Sequence, residues 1–161
     1  MTYYDTLASG YDALHEEEQV AKLKILLSHI QFHGKLLDIG AGTCIVARQL
    51  GKKVTVISVD PSKKMLDQGI GERHVAPAEQ LPFPDKTFDG VISLTALHHC
   101  DLQQALSEIK RVMKPKAIIA LSFLHKSSKL KTFERLLNTF FSDYEKIEAQ
   151  QDFLYLIKHT K

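Results

Sequence analysis

The chain is expected to fold as an α/β protein: a doubly wound, seven-stranded sheet, mostly parallel, with helices on both faces and an antiparallel hairpin strand at its C-terminal end. Three observations carry that expectation. Short apolar runs alternate with helical segments through the first five units, an order that builds a parallel sheet with right-handed crossovers. The first run, Leu36-Leu37-Asp38-Ile39, opens into Gly40-Ala41-Gly42, a backbone turn tight enough to let a ligand come close. Two further extended segments lie near 144–149 and 153–159, with Gln150-Gln151 forming a hairpin between them.

The elements follow in order. Residues 1–15 are aromatic and polar, with Tyr3, Tyr4 and Tyr11. A helix is predicted over 16–31, where Val20, Leu23, Leu27 and Ile30 recur at helical spacing behind the acidic first turn Glu16-Glu17-Glu18. Gly34 is its stop signal. A strand at 35–39 leads into a short helix near 43–50, and a second strand covers 54–59. Pro61 and Ser62 open another helix with Met65 and Leu66 on its inner face, and a short strand lies near 72–76. Residues 77–87 hold Pro77, Pro82 and Pro84 without periodicity and read as loop. A buried strand at 88–94 precedes a helix from about 101 to 113, which Pro115 ends. Residues 117–123 form the fifth strand, and 128–141 are helical.

Composition narrows the function classes. With 161 residues, 44% hydrophobic and 25% charged, the chain reads as one ordinary globular domain. A net charge of +2 gives no electrostatic argument for nucleic acid. Two cysteines, Cys44 and Cys100, make no disulfide framework, so a reduced, cytoplasmic setting is expected. Met1-Thr2-Tyr3-Tyr4-Asp5 does not have the form of a signal peptide, and no apolar run approaches the roughly 20 residues that span a bilayer.

The glycine turn decides between ligands. A dinucleotide fingerprint needs a third glycine three residues after the second, and that position is Ile45. Asp38, two residues before Gly40, has no role in that fingerprint. Asp60 closes the next apolar run and can accept both hydroxyls of a ribose, a role that nicotinamide enzymes also use. The pattern acid-x-Gly-x-Gly resembles the first motif of class I S-adenosylmethionine-dependent methyltransferases. Three further segments are similar to the ubiquinone/menaquinone-biosynthesis type within that family. They are Pro77-Ala78-Glu79-Gln80-Leu81-Pro82-Phe83-Pro84-Asp85-Lys86-Thr87-Phe88-Asp89, Leu97-His98-His99, and Tyr4-Asp5 with Gly10-Tyr11-Asp12. The similarity covers roughly residues 3–123.

The resemblance implies a Rossmann-like methyltransferase domain over 1–161, with 1–33 as cap segment and helix, 34–123 as cofactor-binding core and 124–161 as helix and terminal hairpin. It implies S-adenosylmethionine as cofactor and S-adenosylhomocysteine as product. Asp38, Gly40, Ala41 and Gly42 would then shape the pocket for the methionine part, and Asp60 would bind the ribose. Pro61 and Met65 would flank the adenine, Ala78 and Glu79 would lie along its edge, Leu94 would offer backbone near the amino group, and Tyr11 would cover the cofactor. Two positions depart from the family pattern. Cys44 stands where a third glycine is usual, and Pro77 where many relatives carry an acid that accepts from the adenine amino group. Adenine recognition then rests on backbone near Ala78 and Glu79.

Other features are weighed against plain structural readings. His98, His99, Cys100 and Asp101 are adjacent, and adjacent residues rarely converge on one metal, so no metal is expected. His98 and His99 are weak candidates for a general base, with the cofactor wall as the alternative. Cys44 and Cys100 are expected near the cofactor, as two small hydrophobes rather than a redox pair. The basic stretch Lys110, Arg111, Lys114, Lys116, Lys126, Lys129 and Lys131 reads as a solvated face, with a nucleic-acid surface as the weaker reading. The acceptor is open. The short connection between the fifth strand and the hairpin leaves a small substrate poorly enclosed, which favours a macromolecular acceptor or a protein partner or second copy that closes the site. The alternative function is a noncatalytic cofactor-binding or partner-binding module that kept the fold.

Overall fold

The computed structural model describes residues 13–158. Tyr11 and the rest of the Tyr/Asp motif therefore lie outside the described residues. The elements are α1 (Ala13–His29), β1 (Lys35–Ile39), α2 (Ile45–Leu50), β2 (Thr55–Asp60), α3 (Lys63–Asp67), β3 (Glu72–Val75), β4 (Phe88–Ser93), a 3₁₀ turn (Leu97–His99), α4 (Leu102–Val112), β5 (Met113–Leu124), α5 (Leu130–Phe140), β6 (Glu145–Ala149) and β7 (Asp152–Ile157).

The strands form one seven-stranded sheet in the order β3-β2-β1-β4-β5-β7-β6. β1 to β5 run parallel, and β7 runs antiparallel to both β5 and β6. Side chains alternate between two cores, as the pleat requires. Leu37, Val91, Ile119 and Tyr155 pack on one face with α4 and α5. Leu36, Ile92, Ala120 and Leu154 pack on the other with α1, α2 and α3. This two-sided burial is why the strands read as near-continuous apolar runs. Strand order reverses between β1 and β4, so the crevice beyond their carboxyl ends is the place where such a sheet takes a ligand.

Capping sets the helix starts. Ser62 Oγ accepts from Met65 N at 3.2 Å to open α3, and Asp101 Oδ1 accepts from Gln104 N at 3.0 Å to open α4. α4 carries its stripe Leu102, Ala105, Leu106, Ile109 and Val112 fully into the core.

The structure differs from expectation in three places. α1 starts at Ala13 and stops at His29, well short of Gly34, and its buried face is Gln19, Lys22, Leu23 and Leu26. Val20 and Leu27 are only half-buried. The inner face is mixed: Leu23 and Leu26 pack in the core, while Gln19 and Lys22 meet polar groups near the carboxyl ends of the strands. Pro115 does not follow the helix as a stop; α4 has ended at Val112 and β5 has begun at Met113. Pro115 sits where the β4–β5 register jumps from Phe88↔Met113 to Gly90↔Ile118, an irregularity that tolerates a residue without an N–H. The last strand closes at Ile157 rather than 159.

Candidate functional site

The site is built on the turn after β1. Gly40 N and Ala41 N both donate to Val59 O, at 2.9 and 3.0 Å, which pins the turn to the end of β2. Gly40 has φ +70°, and a Cβ there would lie 2.3 Å from the Ala96 Cβ, so no other residue fits. Gly42 N donates to Asp60 Oδ2 at 2.9 Å, and Ser62 N donates to Asp60 Oδ1 at 2.8 Å. Two backbone donors thus fix the orientation of a carboxylate that is 2% exposed. A carboxylate has about four acceptor positions in all, more than these two donors occupy.

Two cavities flank this turn and share Gly40. The larger, about 230 Å³, is lined by Gly40, Asp60, Pro61, Ala78, Glu79 and His99 among the expected residues, and by Ile39, Ala76, Pro77, Ala96 and Cys100. Its walls are mostly apolar, with Asp60 as the oriented acceptor. The smaller, about 30 Å³, is lined by Gln19, Asp38, Gly40, Ala41, Ile45, Val46 and Leu94. Gly42 acts through its bond to Asp60 and Met65 is buried, and neither is among the lining residues.

Asp38 is 3% exposed, and its Oδ2 is buried without a hydrogen-bond partner. Burial, and next the Asp60 charge, push its carboxyl well above the usual carboxylate range. Gln19 Oε1, from α1, is likewise buried without a partner. Periodicity of apolar residues missed Gln19. Its spacing to Lys22, Leu23 and Leu26 on one helix face was the signal that could have found it.

The proline-rich segment 77–87 is held as a fixed wall. Arg111 Nη1 donates to Phe83 O at 2.8 Å and Nη2 to Leu81 O at 3.1 Å, and the guanidinium also pairs with Glu108 and Asp85. Those carboxylates raise the Arg111 pKa further and leave it permanently charged. Glu79 Oε2 accepts from Asp101 N at 2.9 Å, tying the wall to the start of α4. Lys110 Nζ bonds Phe140 O, Lys114 pairs with Asp89, and Lys129 Nζ bonds Cys100 O. Much of the basic stretch 110–131 is therefore spent on internal structure.

His99 lines the larger cavity, and burial, followed by the Lys129 charge, lowers its pKa. Burial, followed by the charge of His99, lowers His98 to about 4, so its imidazole is neutral at pH 7. Its Nδ1 is buried without a partner. The cysteines part company. Cys100 lines the cavity, with burial and then Glu79 raising its thiol to about 12. Cys44 is fully buried away from it, against the backbone at Gly69. Both are free thiols, and both are raised away from the reactive thiolate form. Cys44 has φ +65°, the left-handed conformation in which a glycine would be at ease. Among the described residues, no group of three or more His, Cys, Asp or Glu is placed to hold a metal ion.

Comparison with known proteins follows the same lines. Residues 37–121 match the family described as "Methyltransferase domain". Over 120 residues the chain is 38% identical to protein MJ1252 of Methanocaldococcus jannaschii, covering 72% of this chain and 48% of that protein. Over 126 residues it is 36% identical to the ubiquinone/menaquinone biosynthesis C-methyltransferase UbiE of Geobacter sulfurreducens, covering 67% of this chain and 48% of that one. The chain spans about half the length of these curated relatives. Among solved structures, one of a complex between the Haloferax volcanii Trm112 methyltransferase activator and a methyltransferase superposes with a TM-score of 0.82 over 100% of this chain and 99% of that chain, at 16% identity. That likeness is one of fold.

Proposed function

Because the chain belongs to the methyltransferase-domain family, we propose that it binds S-adenosylmethionine across the two cavities beside Gly40 and transfers its methyl group to an acceptor. The observation that carries this reading is the Asp60 carboxylate, held by Gly42 N and Ser62 N at the wall of an apolar cavity, with the unsatisfied Asp38 across the same glycine. The residues fit the cofactor: an apolar slot for adenine between Pro61 and the Pro77–Glu79 wall, an oriented acceptor for ribose hydroxyls, and an uncompensated carboxylate for a cationic amino-acid end. In this reading Ala78 and Glu79 border the adenine edge, Met65 supports the slot from beneath, Leu94 borders the amino-acid end, and Tyr11 belongs to the cover. Bound there, the cofactor supplies a methyl already activated by its sulfonium. The protein then mainly orients cofactor and acceptor and excludes water. His98, neutral at pH 7, and His99 remain the candidates for taking a proton where the acceptor must lose one.

The acceptor side supports a large substrate or a second polypeptide. Between β5 and β6 the chain provides only α5, and α1 is the one described element over the site's other flank. A protein partner or second copy would complete the enclosure, and the fold neighbour's complex with an activator supports that arrangement. Among the described residues no helix is long and apolar enough to cross a membrane, and the two free thiols support a reducing, cytoplasmic setting.

Calorimetric titration with S-adenosylmethionine and S-adenosylhomocysteine tests the cofactor. Asp60→Ala should weaken both by about 10- to 100-fold, the worth of a charged hydrogen bond. No binding at millimolar cofactor would overturn the reading. Incubation of fractionated extract with methyl-labelled cofactor then sorts acceptors into small molecules, RNA and protein. Tight cofactor binding with no label transferred would favour the noncatalytic module.

A further inference from the structure

We propose that the cavity between α1 and the β6–β7 turn seats the methyl acceptor, and that it takes an acceptor group carrying positive charge. This rests on the cofactor reading above and names the substrate class that reading leaves open.

The cavity, about 640 Å³, is of the size that takes a small molecule or a large side chain, and it is distinct from the two beside Gly40. The three meet at the exit of β4. Leu94 lines the small cavity, Ala96 the larger, and Thr95 between them lines this third one. A cofactor spanning the first two cavities has its sulfonium between them, so the third is where an acceptor comes within reach of the methyl. Thr95 is held at φ +51°, a left-handed conformation that a β-branched residue adopts only where its surroundings dictate it. Its N–H donates to Ser122 Oγ at 2.6 Å, its Oγ1 donates to Asp152 Oδ2 at 2.7 Å, and Lys22 Nζ donates to the same Oγ1 at 2.7 Å. The floor of the cavity is thereby fixed before any acceptor arrives.

Charge on the walls selects the acceptor. Lys22 and Asp152, both buried at the floor, lie 3.2 Å apart and cancel. What remains is Glu17 and Glu18 on α1, the first exposed and the second half-buried, with no ion-pair partner among the described residues. The helix dipole does not account for them. α1 has begun by Ala13, so its first turn reaches only Glu16, and Glu16 pairs with Arg48. The wall contributed by the β6–β7 turn, Gln150 and Gln151, is uncharged. An acceptor bearing phosphate or carboxylate meets two uncompensated carboxylates here, whereas an ammonium or guanidinium neutralises them. RNA is therefore the acceptor this cavity disfavours. A basic side chain of a protein and a free amine share the chemistry it favours, with the cation at the rim beside Glu17 and Glu18 and the reacting end toward Thr95.

Calorimetry on the cofactor-free protein gives the first readout, with a tetralysine peptide and single-stranded oligouridine as probes. The wild type should bind the peptide and not the oligouridine. Glu17→Lys with Glu18→Lys should weaken the peptide by about tenfold or more in low salt, and by less as salt rises. The same variant should bind S-adenosylhomocysteine as the wild type does, which also shows that it is folded. Asp143→Lys, before β6 and so at the far end of that strand from the turn, should leave peptide binding unchanged. Methyl-labelled S-adenosylmethionine with fractionated extract gives the second readout and the source of the charge: label in protein marks a basic side chain, and label in small amines a free one. Equal peptide affinity in the double variant and the wild type, or label entering RNA, would overturn the proposal while the cofactor site stood. A wild type that bound no S-adenosylhomocysteine would bring down the cofactor reading, and this proposal with it.

Discussion

Asp38→Asn should make the protein more stable and, at the same time, a weaker binder. The wild-type carboxyl is 3% exposed, has an oxygen without a donor, and is pushed upward by burial and by Asp60. Its folded pKa is therefore above the value near 3.9 that it has in the unfolded chain. The sign follows. Below the unfolded value the group is protonated in both states and folding is unaffected. As pH rises past it, the unfolded chain ionises freely, while the folded chain must hold either a proton or an uncompensated charge, and stability falls. Asparagine has the same shape and no charge at any pH, so it removes this penalty. The asparagine amide is itself short of a partner, so the gain is only the extra cost of burying a charge over a neutral polar group, about 1–3 kcal/mol. In a domain of this size each 1 kcal/mol moves Tm by about 2–4 °C, so a rise of roughly 2–12 °C is expected near pH 7.5. Scanning calorimetry at pH 7.5 and pH 3.5 checks it, and the advantage should shrink toward nothing at the lower pH. S-adenosylhomocysteine affinity of the same variant should fall by at least tenfold, because the remaining amide oxygen is a poorer partner for a cation. A variant that melts at or below the wild type at pH 7.5 would refute the claim that Asp38 is uncompensated in the folded protein.

The buried pair of Lys22 and Asp152, with side chains 6% and 0% exposed, gives a second test. Lys22→Met alone should cost about 3 kcal/mol or more in urea melts by stranding the carboxylate, and Lys22→Met with Asp152→Leu should recover most of the loss; equal single and double variants would contradict it. His98 gives a third. Its folded pKa near 4 lies below the ordinary histidine value, so the unfolded chain binds the proton first and stability should decline as pH falls from about 6.5 to about 4. His98→Phe, which keeps an aromatic contact with Phe123, should flatten that decline, and an unchanged pH slope would count against a buried neutral imidazole.

The strands were readable because burial on both faces leaves a mark that no other element makes. Leu36 and Leu37 face opposite cores, as do Val91 and Ile92, and a run apolar at every position can only be a central strand or a buried helix. Gly40 and Asp60 were readable because they sit at strand ends, where a tight turn and an acid have few structural uses. The short helices blurred at their edges. α2 is six residues long, and its start is set by the left-handed backbone at Cys44, which no residue preference announces. That same conformation turns the Cys44 side chain down toward Gly69 and Ser58, while Cys100 faces the cavity, so chain proximity to the glycine turn was a poor guide to which thiol lines the site.

The part of the α1 face that apolar periodicity misses has a more general cause. Apolar periodicity finds the side of a helix that covers apolar atoms. α1 covers apolar atoms with Leu23 and Leu26, but it also reaches the carboxyl ends of the strands, where Asp38, Thr95, Ser122 and Asp152 present oxygen and Gln19 and Lys22 answer them. The apolar template therefore finds Leu23 and Ile30, which are buried, but overreaches to Val20 and Leu27, which are only half-buried, and passes over Gln19 and Lys22. A helix packed over the ligand-binding end of a parallel sheet must carry polar residues inward, either to satisfy the strand-end oxygens or to hold the ligand. Lys22 does the first. Gln19, with its carbonyl oxygen unpaired, lines the small cavity beside Asp38.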